Sequence, residues 1–243
     1  MKRIIDLHLS FMERVLQDET VLQELERERI SILPGFMEQV DLVRAYYEKF
    51  YSKPGNRLVL CGINPGRYGA GKSGIPFVDF DGLSRLLSEN YGRDQERSAQ
   101  FILSVIEGYG IGEFQDSVYL TNLSWFGFRR DGRNMNYYNL PRTVRHQFIE
   151  SFAEEMKIVQ PSAIVPLSEE VARELRKLAA AGQLDFPIAD RIPHPLHSSF
   201  PTNVKKSRLR YHMCIEEHTG LKRKGIGSSG ESSESESNPP LSR

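Results

Sequence analysis

A chain of 243 residues is long enough for one domain with a well-buried core, and 39% hydrophobic with 26% charged residues is the balance of a globular protein. Thirty-two basic residues offset thirty-two acidic ones, so the molecule as a whole is not a polycation. Two cysteines are too few for a disulfide framework, a four-cysteine zinc site or an iron–sulfur cluster, and no apolar run approaches the roughly 20 residues that span a bilayer.

The N-terminal stretch reaches Asp6 too soon for a secretory signal. The expected compartment is the cytoplasm of a bacterium, beside its nucleoid, or a eukaryotic nucleus. Residues 6–50 alternate apolar and charged positions at helical spacing and predict two helices, interrupted near Leu33-Pro34-Gly35. Residues 58–63 are a short apolar run between Pro54-Gly55-Asn56 and a glycine-dense loop, the pattern of a buried strand. Residues 95–109 predict a helix that stops at Gly110, and residues 118–123 predict a second strand. Residues 125–139, rich in Arg, Asn, Gly and Tyr, predict a loop.

Pro141 suits the first turn of a helix to about Gln160. Residues 163–167 form the third strand pattern, followed by Ser168-Glu169-Glu170, an N-cap with acids in the first turn of a helix to about Ala181. A weaker extended segment covers 186–193, and residues 204–218 close the domain as a helix. Strands alternating with helices predict a three-layer α/β/α sandwich around a mainly parallel, four-stranded sheet, with ligands at the carboxyl ends of the strands. From Thr219 the composition changes. Residues 225–243 hold seven serines, three glutamates and no aromatic residue, so the division expected is a folded domain over 1–218 and a disordered tail over 219–243.

The glycine loop contains a literal phosphate-loop pattern. Gly66 to Ser73 fits G-x-x-x-x-G-K-[ST], which in NTPases wraps backbone amides around phosphates ahead of a helix N-terminus. Gly74 and Pro76 oppose a helix starting at Lys72-Ser73, and neither of the next two strands ends in a magnesium-binding acid. The nucleotidase remains a third-ranked alternative. Charge is unevenly placed: residues 191–210 hold five Lys or Arg and no acid, and residues 129–145 hold five Arg against Asp131 alone. Such stretches suit phosphate contacts, and equally suit two solvated loops.

A family resemblance joins these features. Gly62-Ile63-Asn64-Pro65-Gly66, then Gly74-Ile75-Pro76-Phe77, Asn122 at a strand end, Gly132-Arg133-Asn134 ahead of Leu140-Pro141, and His194-Pro195 before a polar loop occur in this order. The set resembles the single-strand-selective monofunctional uracil-DNA glycosylases. Arg67, Tyr68 and the segment Asn134-Met135-Asn136-Tyr137-Tyr138 are similar to the bacterial branch in particular. The resemblance covers about residues 50–211 and implies a uracil-DNA glycosylase-like fold.

It also implies a reaction. Uracil, and 5-substituted uracils such as 5-hydroxymethyluracil, would be hydrolysed from the sugar of DNA by base flipping, leaving an abasic site. By this resemblance Asn64 holds the attacking water and His194 donates to uracil O2 as charge gathers there. Asn122 pairs with O4 and N3–H, since its amide offers both a donor and an acceptor. Phe77 stacks on the base, Ile63 lines its site, Gly66 leaves room beside C5, and Tyr68 partly refills that room.

Leu196, His197, Ser198 and Phe200 lie in the loop that fills the gap in the base stack, where the arginine of the animal enzymes is missing. Arg133, Lys205 and Lys206 contact phosphates. No metal, cofactor or Schiff-base lysine is implied. The expected partner is uracil-containing DNA, single-stranded and also double-stranded, and the expected state is a monomer. Because a neutral Asn64 is a weak catalyst, a non-catalytic DNA-binding protein of the same fold stays open. So do plainer readings: Asn64-Pro65-Gly66 as a turn, His194 as a surface residue and Phe77 as a core aromatic.

Overall fold

The structure, a computed structural model, describes residues 2–53 and 55–224. Most of the expected Ser/Glu-rich tail, residues 225–243, lies outside the described residues. The first two helices are α1 (Lys2–Gln17) and α2 (Glu19–Arg27), the latter capped by Asp18 on the Val21 amide. Between residues 28 and 51 the chain forms β1 (Ile30–Ile32), the single turn α3 (Gly35–Glu38) and α4 (Val40–Tyr51). Then come β2 (Leu58–Gly62), the single turn α5 (Ala70–Ser73), α6 (Phe80–Leu87), α7 (Arg97–Ile106), α8 (Ile111–Ser117) and β3 (Val118–Asn122).

The stretch expected to be a loop contains β4 (Phe128–Arg130) and β5 (Arg133–Met135). These are joined by Asp131 and Gly132, both left-handed at φ 50° and 73°. Two left-handed residues make the tight turn that matches strand twist, and Asp-Gly is a favoured pair for it. The ribbon pairs antiparallel with β1, giving a second sheet in the order β1-β4-β5. After it follow α9 (Arg142–Val159), β6 (Ala163–Pro166), α10 (Glu169–Ala180), the single turn α11 (Pro195–Ser198) and α12 (Val204–Thr219).

The architecture is an α/β/α sandwich. Its central sheet is parallel in the order β3-β2-β6, and every residue of β2, β3 and β6 is buried, as both faces are covered. The segment expected as a fourth strand joins through one parallel bridge, Ile188 beside Ile164. Pro187 and Pro193 flank it, and a proline has no N–H to extend a ladder. On one face Tyr47 and Tyr51 of α4 pack edge-on against Tyr119 of β3, and Glu155 of α9 accepts from Tyr119 and Thr121. On the other face α12 crosses β2 and meets α7 through Tyr211 and Phe101. Among the described residues no helix is long and apolar enough to cross a membrane.

Candidate active site

Strands β2 and β3 run parallel and end in register, Gly62 beside Asn122. Their carboxyl ends therefore open on the same edge of the sheet, where a cavity of about 330 Å³ lies. Ile63, Asn64, Gly66, Phe77, Asn122, His194 and Leu196 all line it. Seven of the residues singled out in the sequence thus meet in one place, drawn from chain positions up to 133 apart.

Gly62 is the floor. A Cβ there would fall on both the Phe77 ring and Asn122 Oδ1, so only glycine lets these two side chains close together. Phe77 has φ 60°, a left-handed conformation that is costly for a bulky residue. The loop around it is held by Ser73, whose hydroxyl donates to Val78 O and accepts from Ile75 N, and by Asp79. Buried Asp79 caps α6 at Gly82 N (2.7 Å) and also accepts from Glu96 N (2.7 Å) at the start of α7. Strain at Phe77 is thereby fixed from both sides.

Asn122 is 3% exposed, and its side-chain amide makes no hydrogen bond with another described residue. Its polar atoms are not among the side-chain atoms sealed off without a partner, so they face the open cavity, where a water or a ligand can satisfy them. Asn64 is the opposite case. Its Nδ2 donates to Pro65 O (3.1 Å) and Met135 O (3.3 Å), and its Oδ1 accepts from Tyr137 N (2.8 Å). The Tyr137 amide identifies the oxygen, and one lone pair of that oxygen is left for a further donor. The ribbon β4–β5, which the sequence reading passed over, supplies Met135 and so orients Asn64.

His194 caps α11: its Nδ1 accepts from Leu196 N at 3.1 Å. The proton of the neutral ring is consequently on Nε2. Burial holds the pKa down at about 4, with His197 adding to the shift and Glu170 opposing it, so the ring is neutral at physiological pH. Glu170, in the first turn of α10, also lines the cavity. Its own backbone N–H first, then the Ser168 hydroxyl and Arg173, hold its carboxyl below the usual range against the opposing effect of burial. The cavity therefore holds a neutral N–H donor and an ionised carboxylate.

Other expected residues lie elsewhere. Tyr68 is 55% exposed and lies outside the cavity, with the Arg67 guanidinium 4.5 Å from its ring centroid. It does not refill the space beside Gly66, where a Cβ would meet only Asn134 Nδ2 at 3.6 Å. Ser198 is fully buried with its hydroxyl on Pro193 O, which removes it from any surface contact with DNA. His197 is exposed beside the Asn203 amide, Phe200 is exposed under the Arg97 guanidinium, and Arg133, Lys205 and Lys206 are exposed. Glu96, Ser98, Asn134, Asn136, Ser168 and Glu170 line the cavity without having been singled out for it. Only the N-cap pattern at Ser168 hinted that a helix starts there.

The phosphate-loop pattern has no phosphate geometry. A turn of helix ends at Ser73 instead of starting there, with Gly74 left-handed as its cap. The amides of Gly69, Gly71, Lys72, Ser73 and Gly74 all donate to carbonyls of the loop itself. Lys72 is paired with Asp94, and Ser73 is buried. No group of three or more His, Cys, Asp or Glu side chains converges among the described residues.

The sequence model of the uracil DNA glycosylase superfamily matches residues 49–215. Among solved structures, wild-type Pedobacter heparinus SMUG2 is similar to this chain with a TM-score of 0.66 and 24% identity, over 79% of this chain and 86% of that one. No curated protein matches.

Proposed function

The chain belongs to the uracil DNA glycosylase superfamily, DNA-binding hydrolases that cut the bond between base and sugar, and from that premise we propose a monofunctional glycosylase of the single-strand-selective bacterial branch. Its substrates are uracil and 5-substituted uracils in DNA. The observation that carries this reading is the unpaired amide of Asn122, buried in the same cavity as Phe77 and the Nε2–H of neutral His194.

A flipped uracil offers an O4 acceptor and an N3–H donor to one amide, whereas cytosine presents the reverse and would leave buried groups unpaired. As the bond from C1′ to N1 breaks, its electron pair stays with the base and negative charge spreads to O2. The His194 Nε2–H is suited to meet that charge without first losing a proton. A water accepted by the free lone pair of Asn64 would add its oxygen to C1′, and its proton leaves with the uracil anion. Asn64 brings no charge to the sugar cation, so the ionised Glu170 is the group that offsets it in this scheme. Open space at Gly66 favours substituents at C5.

The test is excision from a single-stranded oligonucleotide containing one uracil, in EDTA. The expected product is an intact strand that breaks only in hot alkali. Absence of abasic sites, with the DNA still bound, would replace this reading with a non-catalytic binding protein.

A further inference from the structure

The base cavity is one end of a longer groove. A neighbouring cleft shares Glu96 and Leu196 with the cavity and includes Tyr68 and Arg97. The next depression shares Arg97, and the one after it shares Ser104 and Arg208, ending at Lys224. The last two follow the junction of α7 and α12, and the first joins them to the cavity past Leu196, with Asp94 and Glu96 on its wall. Along α7, from Arg97 to Ile106, this path is about 14 Å at the 1.5 Å rise of a helix.

Two properties distinguish the groove from ordinary surface. Arg97, Lys205, Arg208 and Lys224 line its far half, and among the described residues no acid lines that half; Arg223, beside them, is tied to Glu216. Of the eight large hydrophobic residues exposed among the described residues, four also lie along the cavity or the groove: Tyr68, Leu196, Phe200 and Leu209. Basic side chains interleaved with exposed apolar platforms suit a strand with charged phosphates and bare bases, whereas a duplex hides its base faces.

We infer that the groove between α7 and α12 is a track for single-stranded DNA flanking the flipped nucleotide, leaving the cavity past Leu196 and Phe200 and ending at Lys224. This rests on the glycosylase reading, which it extends by assigning the path of one flank. Phosphates meet Arg97, Arg208, Lys205 and Lys224 in turn, while Phe200 and Leu209 offer surfaces to unpaired bases.

The experiment measures binding of uracil-containing single strands by the full chain, with either flank lengthened one nucleotide at a time, across a salt series. Affinity is expected to rise with the length of one flank and not the other. In the double variant Arg208→Ala/Lys224→Ala the slope of log affinity against log salt should fall by roughly 1.4, at 0.7 per lost contact to a single strand. The charge-keeping pair Arg208→Lys/Lys224→Arg should retain the slope. An unchanged slope in the alanine pair, or a gain independent of which flank grows, overturns the track. So does tighter binding by the alanine pair, which would mean that the groove holds the chain's own acidic C-terminal residues. Excision by the wild type is scored separately, so loss of the glycosylase reading is visible apart from these outcomes.

Discussion

On His194 the proton is fixed to Nε2 because the Leu196 amide occupies Nδ1, and burial keeps the ring neutral down to about pH 4. The folded pKa lies below the unfolded value of 6.5, so the unfolded chain binds the extra proton between those values. The stability linked to His194 is therefore complete above pH 6.5 and is lost as pH falls toward 4. Excision should likewise show no acid limb near 6.5, and a single-turnover profile from pH 5 to 8 checks this. A limb at 6 to 7 would mean that the ring is solvated. Gly62 gives a second prediction: in Gly62→Ala the methyl meets both Phe77 and Asn122. Misplacing such groups by about 1 Å costs on the order of 100-fold in rate, and wild-type single-turnover kinetics would detach both residues from base recognition.

Strands β4 and β5 do more than cover the core. They carry Met135 O to Asn64 Nδ2 and lead into the Tyr137 amide that fixes its Oδ1, so the water-holding group proposed here depends on a two-residue turn. Gly132 takes φ 73° in that turn. Replacing it with valine places a β-branched residue in the left-handed region at a cost of about 1 to 2 kcal/mol. Gly132→Val should lose that much in denaturant melts and lose excision rate as well. A stability loss with full activity would uncouple the ribbon from Asn64. The ribbon was legible in Asp131-Gly132, but Arg129, Arg130, Arg133 and Asn134 lack the apolar alternation that marks a strand. Its partner β1 lies about 100 residues earlier, so pairing across that distance, not local pattern, makes it a strand.

Across the whole molecule the sheet is clamped by a buried polar group. Glu155, fully buried, accepts from Tyr119 and Thr121 at 2.8 Å and lies 3.3 Å from His8 Nε2, whose ring stacks on Trp125 at 4.0 Å. This ties α1 and α9 to the strand that ends in Asn122. Removing the carboxylate leaves the buried Tyr119 and Thr121 hydroxyls without their acceptor, at about 1 to 3 kcal/mol each. Glu155→Ala should show that loss in urea unfolding; a loss under 1 kcal/mol would mean that water replaces the carboxylate.

The sequence by itself determined the alternation of strands and helices and the N-cap at Ser168, because period and capping are local, while the part of the cavity lining that was named in advance came from the order of motifs shared with a family. It also carried a nucleotide-binding pattern that the fold denies, since the loop amides close on their own carbonyls. Only the tertiary structure decided that Ser198 faces inward, that Tyr68 stands outside the base cavity, and that Glu170 stands inside it. Those outcomes depend on which distant backbone fills each gap. The tautomer of His194, the exhausted donors of Asn64 and the free amide of Asn122 follow from the same cause: partners supplied, or withheld, by chain segments that sequence spacing does not bring together.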